Sequence, residues 1–128
     1  MGTTRARSRV FKTAWFAKVA RKAHIGDDEL CVAILQVMRG QADDLGGGVF
    51  KKRLNDNMHR SIILAMGGRF WVYEYLFAKQ DRDNIDADEL VAFRSLAAVY
   101  AKLTDQNIAN LVANRKVLEI CHDCQTEI

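Results

Sequence analysis

Hydrophobic and polar positions change their period repeatedly along this chain. Residues 10–16, VFKTAWF, are aromatic and β-branched and predict a first strand. The next stretch, AKVARKAHI, turns helical: Val19 and Ala20 share one face, while Lys18, Arg21 and Lys22 fall largely on the other. A clearer helix follows in GDDELCVAILQVMRG. Gly26 or Asp27 caps it, acids fill its first turn, and Gly40 follows Arg39 at its end. Leu30, Ile34, Val37 and Met38 give that helix a buried stripe. After Gly46-Gly47-Gly48 the period drops to two. VFKKRL, SIILAM and RFWVYEYLFA predict three strands, with Gly67-Gly68 as a hairpin turn between the last two. Short connections make these strands an antiparallel meander. Helical spacing then returns. NIDADELVAFRSLAAVYAKL opens with a capping box, Asp86 at the N-cap and Glu89 three residues on. DQNIANLVAN predicts a shorter helix, and KVLEI a last strand. The predicted order is an N-terminal strand, an αα-hairpin, an antiparallel β-meander sheet and C-terminal helices, which is an α+β domain.

At 128 residues the chain has room for one domain with a real core. Apolar residues at 49% and charged residues at 27% give the balance of a folded soluble protein rather than a disordered one. Charge changes the picture more than composition does. Residues 1–24 carry Arg5, Arg7, Arg9, Lys12, Lys18, Arg21 and Lys22 with no acid, whereas acids cluster at residues 27–29, 43–44 and 81–89. Such segregation suits an anionic partner on one face, although a solvated basic face is the plainer reading. Residues 1–9, MGTTRARSR, read as a flexible basic tail, residues 10–121 as the folded domain, and residues 122–128 as a C-terminal tail. The basic start faintly resembles an organelle presequence, but the strand pattern that follows argues against one. No run approaches the ~20 apolar residues that cross a membrane. Three cysteines, two of them near the C-terminus, do not make a disulfide framework. The chain therefore reads as cytoplasmic.

The glycines in front of Lys51-Lys52-Arg53 raise the question of a phosphate grip. A phosphate loop needs Gly-Lys-Ser/Thr and then a helix, whereas Gly48 leads into a strand and no Ser or Thr follows the lysines. The glycines instead read as a pliant entry to that strand. Along it, Lys51 and Arg53 share a solvent face, and Lys52 falls with Phe50 and Leu54, where a bulge or an edge would relieve it. His59 and Arg60 open the next strand, and Lys79 and Arg82 follow the last strand of the meander. Their convergence would form a surface for a polyanion, RNA above all. Chemistry on RNA through the ribose 2′-OH needs a base, an acid and cations for the charged phosphorane. Histidine titrates in the useful range, and a lysine serves where neighbouring positive charge lowers its pKa. Cys121 and Cys124 have CxxC spacing, but a zinc site wants a second pair and none is present, so no metal or other cofactor is expected. Trp15, Trp71, Tyr73 and Tyr75 read as core and cross-strand packing rather than base-stacking platforms.

The segment from about residue 10 to residue 120 resembles the RelE/HigB-like toxins of bacterial type II toxin–antitoxin modules. The resemblance is carried by VFKTAWFAKVARKAHI leading into an αα-hairpin, by DLGGGVFKKRL, and above all by FAKQDRDNID followed by DEL. It implies a RelE-like fold and a ribosome-dependent mRNA endonuclease that attacks through the 2′-OH, with a patch of basic residues on the sheet. It also implies a cognate antitoxin, usually of the helix-turn-helix type, through which alone operator DNA is bound. By position, Lys51, Lys52 and Arg53 match the basic second strand of the family's meander, Arg60 the arginine that begins its third strand, and Lys79 and Arg82 the basic residues after its fourth. The family branch usually has a longer basic, glycine-rich stretch where this chain has the short NDNMHRS. His59 lies in that short stretch and is added from the residues themselves.

The resulting expectation assigns His59, Arg60, Lys79 and Lys51 to catalysis and Lys52, Arg53 and Arg82 to RNA binding, with ribosome and mRNA as targets. Two alternatives stand beside it. One is a ParE-like toxin that blocks a protein such as DNA gyrase and cuts nothing. The other is a catalytically decayed member that binds its antitoxin as a co-repressor.

Overall fold

The computed structural model describes residues 8–66 and 69–122. Residues 1–7 and 123–128 of the two predicted tails, and the Gly67-Gly68 turn, lie outside the described residues. The elements run β1 (Arg9–Thr13), α1 (Ala14–Lys22), α2 (Asp27–Met38), β2 (Asp43–Gly46), β3 (Val49–Leu54), β4 (His59–Met66), β5 (Phe70–Ala78), α3 (Ala87–Tyr100), α4 (Asp105–Ala113) and β6 (Val117–Ile120). The class is α+β, as the periodicity predicts. Among the described residues the sheet has six strands in the order β2-β3-β4-β5-β1-β6. The β2–β5 meander is antiparallel, whereas β1 enters parallel to β5 and antiparallel to β6.

Three sequence expectations need correction here. The first strand stops at Thr13, short of Phe16, because the Thr13 hydroxyl accepts the Phe16 N–H at 3.0 Å and caps α1. That cap outweighs the β propensity of Trp15 and Phe16. Arg9 belongs to β1 rather than to a tail, and its guanidinium grips the Glu119 carboxylate through two 2.8 Å bonds. The glycines are a turn, not an entry segment. Asp43–Gly46 forms an added strand, and Gly47 and Gly48 reverse the chain at φ +65° and +84°, the left-handed pair that suits strand twist in a two-residue hairpin.

Helices cover both faces of the sheet. On one face α1 and α2 bury Phe16, Leu30 and Ile34 against Ile63, Tyr73 and Leu76. The Tyr73 hydroxyl, whose ionisation burial opposes, donates to the Leu30 carbonyl at 2.6 Å. On the other face α3 covers Val49, Ile62 and Leu64, and α4 packs Ile108 onto Phe11, Phe70 and Val72. The predicted capping box of α3 is present, Asp86 accepting from the Glu89 N–H and Glu89 from that of Asp86.

The cysteines also depart from expectation. Cys31 on α2 and Cys121 after β6 form a buried disulfide across 90 residues. The fold supplies a proximity that spacing along the chain does not suggest. No helix among the described residues is long and apolar enough to cross a membrane.

Candidate RNA-facing site

The strand register sorts the candidate cations by face. Arg53 stands opposite Arg60, which stands opposite Phe77, so one row crosses β3, β4 and β5. The adjoining row on that face is Asp43, Lys51, Ile62 and Tyr75. Val49, Ile62 and Leu64 lie on this face beneath α3, while Arg53 remains exposed at its open end. Lys52 and His59 point the other way, in rows with Ser61 and Leu54. Alternation alone separates His59 from Arg60, since successive strand residues face opposite sides. The structure thus brings Lys51, Arg53 and Arg60 together and leaves Lys52 and His59 on the α1–α2 face.

Partners qualify each charge. The Lys51 side chain is only 16% exposed, not solvent-facing as its strand position suggests, and its ammonium lies 3.6 Å from the Asp43 carboxylate. The Lys52 ammonium donates to the Gln41 carbonyl at 2.9 Å. β2 runs out at Asp43, opposite Lys51, so Lys52 reaches around an unpaired edge. Burial, and after it the Arg53 charge, pull the Lys52 ammonium below its usual value. Arg60 donates to the Asn57 and His59 carbonyls at 3.0 and 3.2 Å. Lys79 is exposed, and its backbone N–H bonds the Met58 carbonyl at 2.9 Å, placing it beside the β3–β4 loop.

Arg82 is the most engaged of the set. It makes two bonds to Glu89, at 2.5 and 3.1 Å, and lies 5.5 Å from the Phe77 ring centroid. Its bond to the Tyr75 hydroxyl is long, 3.5 Å. The Arg82 bond, and then the Asp86 N–H, hold the Glu89 carboxyl below its usual value. Arg82 therefore ties the end of β5 to the start of α3.

The short β3–β4 loop is tightly built. Asn55, Asp56 and Asn57 all take positive φ, at 56°, 54° and 71°, which Asn and Asp tolerate better than most residues. The Asn55 N–H donates to the Glu29 carboxylate on α2, and the Asn55 amide nitrogen lies 3.1 Å from His59 Nδ1. Sequence patterns alone gave no reason to single out Glu29 or Asn55, because the contact joins residues 26 apart.

The aromatic reading is corrected in one place. Tyr73 is core, but Trp15 is 48% exposed and stacks on Tyr75, with ring centroids 5.3 Å apart and planes 14° from parallel. A register shift lets β5 do this: Ile62 pairs with Tyr75 and Ile63 with Tyr73, so Glu74 is the extra residue of a bulge. Strict alternation would keep Tyr75 in phase with Tyr73.

Residues 8–120 match the family model described as "RelE toxin of RelE / RelB toxin-antitoxin system". No match is found among curated proteins.

Proposed function

The chain belongs to the RelE toxin family, and on that footing we propose that it is a ribosome-dependent mRNA endonuclease that inhibits translation. Its partner is an antitoxin. We place ribosome and mRNA as its targets, a helix-turn-helix antitoxin as its inhibitor and operator contact, and the cytoplasm as its location.

The observation that carries this reading is the Arg53–Arg60–Phe77 row on the open end of one sheet face. Two guanidiniums side by side suit a phosphodiester that gains negative charge as the 2′-OH attacks phosphorus. Arg60 and Arg53 would hold the phosphoryl oxygens. We give the acid's role to Lys51, whose ammonium lies beside the Asp43 carboxylate and would protonate the departing 5′ oxygen, and the base's role to Lys79 in its neutral form, which would take the 2′-OH proton. His59 and Lys52 face the other side of the sheet, so we assign them to contacts with RNA away from the reacting phosphodiester, and Arg82 to holding the RNA backbone at the rim. No cofactor enters the scheme.

Mapping mRNA 5′ ends shortly after induction without antitoxin tests the reading, with Arg60→Ala as control. New ends inside translated codons, absent in the control, are the expected result. Arrested growth with intact mRNA and DNA damage would replace it with a ParE-like block of gyrase, a reading that the short, tightly turned loop at residues 55–58 favours. Normal growth with intact mRNA would leave an antitoxin-binding co-repressor.

A further inference from the structure

We propose that the groove between α1 and the free edge of β5 binds an unpaired RNA base, with Trp15 as the stacking platform. The inference rests on the reading of this toxin as one that acts on RNA, and it adds a site beyond the basic row.

β5 pairs with β1 only from Phe70 to Tyr73. From Glu74 onward its outer edge has no strand beside it among the described residues, and α1 flanks an opening of about 470 Å³. That volume falls in the ~300–1,000 Å³ range of small-ligand clefts. Trp15, Lys22, His59, Tyr75, Asp81 and Arg82 are among its lining residues. One indole face of Trp15 lies on Tyr75, and the residue nevertheless stays 48% exposed beside the groove. Tyr75 is itself braced by Phe77 and Phe93, at 5.9 Å each. The result is a rigid aromatic shelf, the kind of surface on which single-stranded bases stack.

The polar lining fits a nucleotide better than a peptide. Lys22 on α1 and Arg82 beyond β5, the latter also bonded to Glu89, put two cations in the lining, where the phosphates beside a stacked base call for positive charge. Asp81 is the one carboxylate of the lining and only accepts hydrogen bonds, which suits a base with an exocyclic amine. His59 lines this groove while Arg60 points to the opposite face. RNA turning around the free β5 edge would reach both.

The test titrates the full chain with tetra-adenylate and tetra-uridylate RNA. Trp71→Phe leaves Trp15 as the sole tryptophan of the two and removes a buried indole N–H that has no partner. In that background, tetra-adenylate should quench fluorescence saturably, and tetra-uridylate should bind more weakly. By anisotropy of labelled RNA in the otherwise native chain, Trp15→Ala should weaken binding about 5- to 150-fold, the effect of losing one base–aromatic stack, and Trp15→Phe should retain most of it. Unchanged affinity in Trp15→Ala overturns the proposal, as does quenching by antitoxin but not by RNA. Codon-internal cleavage together with unchanged Trp15→Ala affinity removes the groove and leaves the nuclease. Trp15-dependent binding together with intact cellular mRNA removes the nuclease and leaves the groove.

Discussion

Arg53 and Arg60 face each other directly across the β3–β4 ladder, two guanidinium side chains on one side of the sheet. Like charges at such a position cost about 0.2–1 kcal/mol. Arg60 relieves part of this by bonding back to the Asn57 and His59 carbonyls, and Arg53 stays exposed beside it. Stability alone does not select this pair.

Arg53→Ala should therefore raise stability by about 0.2–1 kcal/mol while reducing growth inhibition on induction. Urea unfolding and a growth assay on the same variant check both halves. A destabilised Arg53→Ala protein would contradict the repulsion argument.

The Cys31–Cys121 link closes a loop of 90 residues. Chain entropy gives such a link an upper value of about 4–5 kcal/mol. Reductant should lower the midpoint of thermal unfolding, and Cys31→Ala should reproduce the lowered value with no further response to reductant. Equal midpoints with and without reductant would exclude a stabilising role.

Two carboxylates set opposite slopes of stability against pH. Bonding to Arg9 holds the Glu119 carboxyl below 4.5, so its stabilisation is complete above that pH and is lost as pH falls through the lowered folded value. Burial raises Glu74 above 4.5, against the lowering effect of its bond from Tyr100, so its ionisation destabilises at neutral pH and the penalty fades as pH falls. Glu119→Gln should flatten the acid limb of the stability profile, and Glu74→Gln should steepen it. Denaturation series between pH 3 and 7 compare the two; slopes shifted in the same direction would refute the assignment.

Gly48 sits at φ +84°, and a Cβ there would lie 3.1 Å from the Ala65 carbonyl oxygen. Gly48→Ala should cost about 1–2 kcal/mol. At Gly47 a Cβ meets the Arg94 side chain at 2.8 Å, while Arg94 donates to the Leu45 and Gly46 carbonyls. Combining Arg94→Ala with Gly47→Ala should recover the steric part of the loss but not the part due to φ +65°. Full recovery in the double variant would show that backbone strain there is negligible.

Much of this fold is legible in local signals. Asp86 and Glu89 announce α3 because a capping box needs only four residues, the apolar run SIILAM identifies β4, and the period of two identifies β3 and β5. It also groups Lys51 with Arg53. What escapes has non-local causes. Asp43–Gly46 has no β-branched residue and becomes a strand because β3 pairs with it. The bulge at Glu74 breaks the alternation without any glycine to mark it. Trp15 looks like core by composition, and only the capping geometry of Thr13 lifts it onto a helix, where it stays half exposed. The disulfide joins cysteines that share no motif.

The place of β1 bears on how the protein comes off its own ribosome. β1 precedes the other described strands in the chain, yet its neighbours are β5, reached at Phe70, and β6, which reaches Ile120. At roughly 5–20 residues per second, Val10 and Phe11 wait on the order of ten seconds before both flanks are filled. The β2–β5 hairpins can pair in the meantime from near neighbours. A nascent chain released before Val117 lacks β6 and the Cys121 anchor. Vectorial synthesis thus delays the finished sheet until Val117–Ile120 has been made.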